Sequence, residues 1–263
     1  MSVCKVLENP LNISIGDKMH KRITLLLLLC GFSVNSKEFP EYIKNARCHI
    51  DKDFEKCMKA NGNKIIRQVA EGIPELNLPS MNPLKLSFVQ MINTQQLQVN
   101  ISNIEVHGLS DMKIFDVKAE PLKGMFQVFL TDENVTICGQ YRAHGRVLVL
   151  PVDGDGNFSM YLKNGVYNET VLSRIVKRNG DDYLKRIDTL LQAHFEKVEF
   201  NFQNLFGDNK QLGDQVNTFL NENWEILLND YGPGIERMLR NYLGKHYDSL
   251  VDQVPMKDFF LID

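Results

Sequence analysis

The apolar residues of this chain change their spacing once, and that change limits the fold more than any other feature. Over residues 84–202 apolar and polar side chains alternate: Leu84, Leu86 and Phe88 around Lys85 and Ser87, then Leu97, Val99 and Ile101 around Gln98 and Asn100. A period of two is the pattern of a half-buried strand. Phe126, Val128 and Leu130 continue it, and Val135, Ile137 and Tyr141 share one face. Turn chemistry falls between the runs, in HGLSD, EPLKG, TDEN, RAHG and DGDGN, where Gly, Pro, Asn and Asp supply backbone angles that strands avoid. A polar piece at 171–180 has helical character, and two more strands precede the hairpin-like FEKVEFNFQN. From Leu212 the period turns helical, through Val216, Phe219, Leu220, Trp224, Leu227 and Leu228, which builds a broad apolar stripe. The GPG at 232–234 is expected to kink or interrupt this helix, after which Ile235, Met238, Leu239 and Tyr242 resume it. A helix that apolar must lie against the sheet, so one α+β domain is expected.

Upstream of the strands, Asp51 or Asp53 is placed to cap a helix through FEKCMKANGNKIIRQVA, with Gly72 and Pro74 ending it. GIPELNLPSMNP reads as an extended connector. Further upstream, the basic stretch KMHKR at 18–22 precedes ITLLLLLCGFSV at 23–34. About a dozen apolar residues are too few to cross a bilayer of roughly 30 Å as a helix. Basic flank, short apolar run and small residues together form a cleavable signal peptide. Residues 1–36 are therefore expected to be an N-terminal extension and signal, with translation starting at Met19 and cleavage after Ser36. Residues 37–263 are the mature domain.

Cleavage removes Cys4 and Cys30 and leaves Cys48, Cys57 and Cys138. In an oxidising compartment the close pair, Cys48 and Cys57, should form a disulfide. Within VTICGQY, Cys138 reads as a buried strand residue rather than a reactive thiol. Sequons at Asn100, Asn134, Asn157 and Asn168 fit a secreted, glycosylated surface.

The chain carries 24% charged residues and a net charge of −3. No basic stripe interleaved with aromatics appears, so neither nucleic acid nor a polybasic membrane contact is implied. Catalytic signatures are missing too. There is no G-x-S-x-G to expose a serine nucleophile and no H-E-x-x-H to set two imidazoles on one helix face. His49, His107, His144, His194 and His246 stand apart from one another. Asp153-Gly-Asp-Gly-Asn157 opens like a calcium loop, but Phe158 and Asn164 occupy the positions that need Gly and a bidentate Glu. It reads instead as a tight turn between VLVLP and FSMYL. No catalytic residue, metal ligand or cofactor is assigned.

Taken in order, the residues form a constellation. It runs from C48-x8-C57 through GIPELNLPSMNPL, a strand ending VHGL, and GQYRAHGRVLVLPVDGDG. It continues through NFQNLFGDNKQLGDQVNTFLNENWEILL and PGIERMLRNYL to VPMKDFFL. Over essentially the whole mature chain this resembles the takeout/juvenile hormone-binding protein family of insect secreted carriers. The resemblance implies a tubular lipid-binding fold, a long helix wrapped by a strongly curved antiparallel sheet with an apolar tunnel between them. It also implies binding and transport of a terpenoid, fatty acid or related lipid without catalysis, and it carries the family's disulfide to Cys48 and Cys57. Hormone-binding members close to the founding carriers have a second disulfide, whereas the mature chain has only Cys138 beyond the close pair. That places it with the takeout-like branch.

Such a fold holds lipid because sheet and helix enclose more apolar surface than their own side chains fill. Candidate lining residues on the strands are Leu86, Phe88, Val99, Ile101, Phe126 and Val128. Ile137 and Tyr141 join them, with Trp224 and Leu227 on the helix. Tyr141 is the expected polar handle, since a hydroxyl can meet an ester or epoxide oxygen. The expected protein is a secreted, extracellular monomer with a hydrophobic small-molecule partner and no stable membrane insertion. The rival class is a secreted interaction or membrane-surface protein that uses an exposed apolar patch.

Overall fold

The computed structural model describes residues 39–206 and 209–262, so the expected signal peptide, with Cys4 and Cys30, lies outside the described residues. A short helix α1 (Glu41–Lys44) and strand β1 (Cys48–His49) lead into helix α2 (Phe54–Ala70). The Cys48–Cys57 disulfide joins β1 to the first turn of α2. Asp51 Oδ1 accepts from the Asp53 amide at 2.8 Å, which turns the chain into the helix, and Gly72 leaves it at φ +90°. The connector is more structured than its composition suggests. A 3-10 turn at Pro74–Leu76 and a left-handed Asn77 fold it back so that Ile73 bridges Leu78. That turn buries Leu76 completely beside Ile73, Phe39 and Val254.

Nine antiparallel strands follow: β2 (Leu84–Asn93), β3 (Leu97–His107), β4 (Lys113–Glu120), β5 (Met125–Thr131), β6 (Asn134–Val147), β7 (Leu150–Lys163), β8 (Val166–Arg178), β9 (Asp181–His194) and β10 (Lys197–Phe202). They form a five-stranded sheet in the order β10-β7-β6-β3-β2 and a four-stranded sheet in the order β4-β5-β8-β9. Register shifts at Gln90/Ile92, Ser102/Glu105, Ile114/Asp116 and Leu172/Ser173 are the points where extra residues increase twist and bend the sheets.

Three local expectations are corrected here. Residues 171–180 are not helical but form most of β8 and its turn, Asn179 (φ 52°) and Gly180 (φ 90°), a pair suited to a tight hairpin. RAHG continues β6, and DGDGN lies inside β7; the turn between these strands is at Leu148, with φ 51°. The glycines of DGDGN meet a different need. A Cβ on Gly154 or Gly156 would stand 2.6–2.7 Å from the carbonyl oxygens of residues 203–205, which cross over β7 at that point.

The C-terminal helices are α3 (Lys210–Glu222), whose first turn is capped by Asn209 Oδ1, and α4 (Trp224–Val251). The break falls at Asn223 and not at GPG, since α4 runs unbroken through Pro233. Pro233 and Asn229 are both exposed, so water can serve the Asn229 carbonyl that Pro233 leaves without a donor. Helix α4 packs against β9, β2 and β10, so it touches both sheets. Arg186 of β9 ties it down through Asp248, with Nε–Oδ1 and Nη2–Oδ2 at 2.9 and 2.6 Å. Gly244 leaves the space for that guanidinium, 2.7 Å from where a Cβ would be. Helix α5 (Met256–Phe259) and strand β11 (Phe260–Leu261) end the described chain, β11 pairing in parallel with β1.

Asparagines on two helices cover the sheet edges. Asn217 and Asn221, one turn apart on α3, each both donate to and accept from the backbone of β10, at Phe202 and Phe200. Asn63 of α2 does the same to Ile114 of β4, with both bonds at 2.8 Å. A side-chain amide thus replaces the missing neighbouring strand, and an open edge no longer templates pairing with another chain.

Candidate ligand-binding site: an internal apolar cavity

The inner face of the five-stranded sheet and the facing sides of α3 and α4 do not close on each other. They leave two adjoining chambers. One of about 110 Å3 is lined by Val99, Tyr141, Phe158, Phe202 and Leu227, among others, and carries no charged residue. The other, of about 310 Å3, is lined by Leu86, Ile137, Leu162, Leu191 and Phe195, with Asn229 and Glu236 on its α4 side. Met91, Ile101, Met160, Leu228 and Ile235 belong to both linings, so the chambers meet at a neck made by β2, β3, β7 and α4. Such a volume between helix and sheet follows from curvature: bent strands stand off from the helices they wrap.

Of the ten expected lining residues, six lie on the chambers. Val99, Tyr141 and Leu227 face the smaller, Leu86 and Ile137 the larger, and Ile101 both. The other four sit elsewhere. Phe88 points outward and is 61% exposed. The cause is the bulge in β3 at Ser102 and Asn103 (φ 49°). Ile101 and Ile104 are both buried across it, so β2, paired to β3, changes face between Leu86 and Phe88, as a one-residue slip requires. Phe126 belongs to a second core, stacked on Phe260 at 5.6 Å and sharing that ring with Phe54. Val128 lies on the same four-stranded sheet, away from both linings. Trp224 packs against the main core, with the Lys197 ammonium 5.8 Å from its ring centre.

Lining residues not singled out from the sequence include Met91, Met160, Phe200 and Phe202. Met160 alternates with Phe158 and Leu162, and Phe200 with Phe202 and Val198, so their inward phase was open to the same period-two argument. Tyr231 and Ile235 on α4 were also within reach of the helical period.

Tyr141 has a different task from the expected handle. Its hydroxyl donates to the Gln203 carbonyl at 2.6 Å, and its ring meets Phe202 edge-on at 4.9 Å. Paired across β6 and β7 with Gly156, it pins the 203–205 segment over the glycines and closes that end of the smaller chamber. Burial, with the Asp155 charge, pushes its pKa up to about 12. Burial also raises Tyr231 and Tyr242 and lowers His246, all on α4. In each case the low-polarity surroundings disfavour the charged form.

Among the described residues no nucleophile and base come together in the chamber linings. Glu105, His107 and Cys138 bring ligand atoms within 4.8 Å of one another, but the Cys138 sulfur is held in a disulfide and has no thiolate to offer a metal. Cys138 is buried on β6, as expected, but its sulfur is bridged, which corrects the expectation that the mature chain leaves it without a partner beyond the Cys48–Cys57 pair.

Comparison with known proteins agrees with this architecture. The family described as haemolymph juvenile hormone binding protein matches residues 25–261. The circadian clock-controlled protein daywake of Drosophila melanogaster is 25% identical over 238 residues, covering 86% of this chain and 89% of its own length. A putative beta-carotene-binding protein of Schistocerca gregaria is 23% identical over 135 residues, covering 51% of this chain and 54% of its own. The crystal structure of Epiphyas postvittana Takeout 1 is similar at a TM-score of 0.74 and 25% identity, over 82% of this chain and 99% of that one. With its long C-terminal helix, its curved antiparallel sheets and a family match over nearly the whole described chain, the protein belongs to the haemolymph juvenile hormone binding protein family and has the tubular lipid-binding fold.

Proposed function

We propose that this protein is a secreted, non-catalytic carrier that holds one hydrophobic small molecule along the two chambers. The observation that carries the proposal is the shared neck. Two cavities that use the same five side chains as a common wall accommodate a single elongated ligand better than two separate ones. The larger alone reaches the lower end of the roughly 300–1,000 Å3 common for small-molecule sites. Each Å2 of apolar surface a ligand buries there contributes roughly 25 cal/mol. The relative named for beta-carotene binding supports a long apolar cargo. Met91 and Met160 suit such a site, because an unbranched thioether adapts to different ligand shapes.

Secretion rests on the signal-like residues 1–36 and on the Cys48–Cys57 disulfide, a bond that persists in oxidising compartments. Of the four sequons, Asn134 and Asn157 are exposed and are the proposed glycan sites. Asn168 is engaged with Gln127 and Gln192, and the Asn100 side-chain oxygen is buried. The deciding experiment is native mass spectrometry of the protein recovered from the medium of expressing insect cells. An adduct of a few hundred daltons, released by organic solvent, is the expected result. A protein that emerges empty and takes up neither fluorescent fatty acid nor terpenoid would sink the proposal.

A further inference from the structure

The inner face of the four-stranded sheet carries a group that apolar chambers do not require. Cross-strand pairing sets Val117, Val128, Glu169 and Leu191 in one row across β4, β5, β8 and β9. Directly paired residues share a face. Val117 is buried at one end of the row, and Leu191 at the other lines the larger chamber. Two residues along β8, Tyr167 is paired with Ala193, which lines the same chamber. Glu169 therefore stands beside the chamber wall, facing inward among apolar neighbours. Among the described residues its carboxyl has neither a hydrogen-bond partner nor an ion pair, and burial raises its pKa. It is not fully closed off, however, and keeps part of its surface accessible. Enclosure with residual access is the condition of a side chain facing a cavity, not of one locked in a packed core. Across from it on α4, the Tyr247 hydroxyl lies 3.2 Å from Ser173 Oγ and is near enough to Glu169 to feel its charge.

We infer that Glu169 is the polar end of the ligand site and that it selects an otherwise apolar molecule ending in an uncharged hydroxyl. The inference rests on the carrier proposal above and adds a ligand class to it. Apolar surroundings disfavour the charged carboxylate, and the neutral carboxyl they favour both donates and accepts a hydrogen bond. A hydroxyl matches both functions. A hydrocarbon matches neither and leaves the carboxyl unpartnered, and a site with an unpaired polar group discriminates against the ligand that leaves it so.

The test is displacement of the apolar dye Nile red from the mature protein by hexadecanol, hexadecane and hexadecylamine. The wild type should bind hexadecanol about tenfold more tightly than hexadecane, the equivalent of one good hydrogen bond. Glu169→Leu should lose that preference, with hexadecane gaining because it no longer leaves a carboxyl unpartnered, while Glu169→Gln, whose amide also donates and accepts, keeps it. In case Glu169→Leu does not fold, infrared difference spectra of the wild type supply a second measurement. Hexadecanol should shift a protonated-carboxyl stretch that is missing in Glu169→Gln. The inference is overturned if dye binds but the alcohol-to-alkane ratio is unchanged by Glu169→Leu, if hexadecylamine is the best ligand, or if no carboxyl band responds. Failure of the wild type to bind the dye or any of the three would overturn the carrier proposal as well.

Discussion

At the scale of single residues, the informative positions are those where a side chain does something other than its type suggests. Tyr141 looks like a ligand handle and acts as a clasp. Replacing it with Phe removes its hydrogen bond to the carbonyl of the exposed Gln203, which water can then serve, and is expected to cost about 0.5–1.5 kcal/mol in urea unfolding. The same tyrosine contributes to the alkaline limb. Its folded pKa is raised to about 12 from the ordinary tyrosine value of about 10. Its contribution is therefore complete below pH 10 and is lost as pH rises through 12. Tyr141→Phe should reduce the loss of stability between those values. Phe88 presents the opposite case. Being 61% exposed, Phe88→Ser should change stability by no more than about 0.5 kcal/mol and leave dye uptake unaltered; reduced uptake would place it on the ligand path after all.

At the scale of elements, the sheets depend on helices at their edges. Asn217 and Asn221 each satisfy one donor and one acceptor of β10, so Asn221→Ala orphans both groups of Phe200. A loss of about 1–3 kcal/mol is expected, with faster hydrogen exchange confined to β10 as the signature of edge opening. An unchanged exchange pattern would mean that water serves that edge equally well. The Cys48–Cys57 bridge acts on a different element pair. Its sequence separation is only 9, so it restricts a short loop, and Cys48→Ser should cost about 2 kcal/mol in thermal unfolding, less than a long-range bridge would.

At the scale of the whole molecule, the helices and sheets stay far enough apart to leave an apolar gap between them. Leu228 of α4 stands at the neck shared by both chambers. Leu228→Trp should fill space already empty, so the melting temperature should stay near that of the wild type. Dye and fatty-ligand uptake should fall by at least about tenfold. In a closed core the same change would be overpacking, costing typically 1–3 kcal/mol, so the pair of measurements separates a real cavity from a packed interior.

Periodicity determined that strands come before the long apolar helix and which strand residues share a face over short runs, and turn composition placed three of the connections between strands, at HGLSD, EPLKG and TDEN. Those are local properties, set by a repeat of two or of 3.6 residues. The cysteine spacing likewise announced the one disulfide seen between described residues. Three kinds of fact were decided only by the tertiary structure. The inward phase of β2 depends on a bulge in its neighbour β3, so no inspection of residues 84–93 could show that Phe88 faces out. The role of Gly154 and Gly156 depends on a chain segment about fifty residues later crossing over them, which made a strand look like a turn. The helix continues through GPG because the exposed position of Pro233 lets water replace the lost hydrogen bond, and exposure is a property of the packed molecule. The cavity itself belongs to this last class. Apolar residues that line a chamber and apolar residues that fill a core obey the same pattern in sequence, and only the curvature of the assembled sheets separates them.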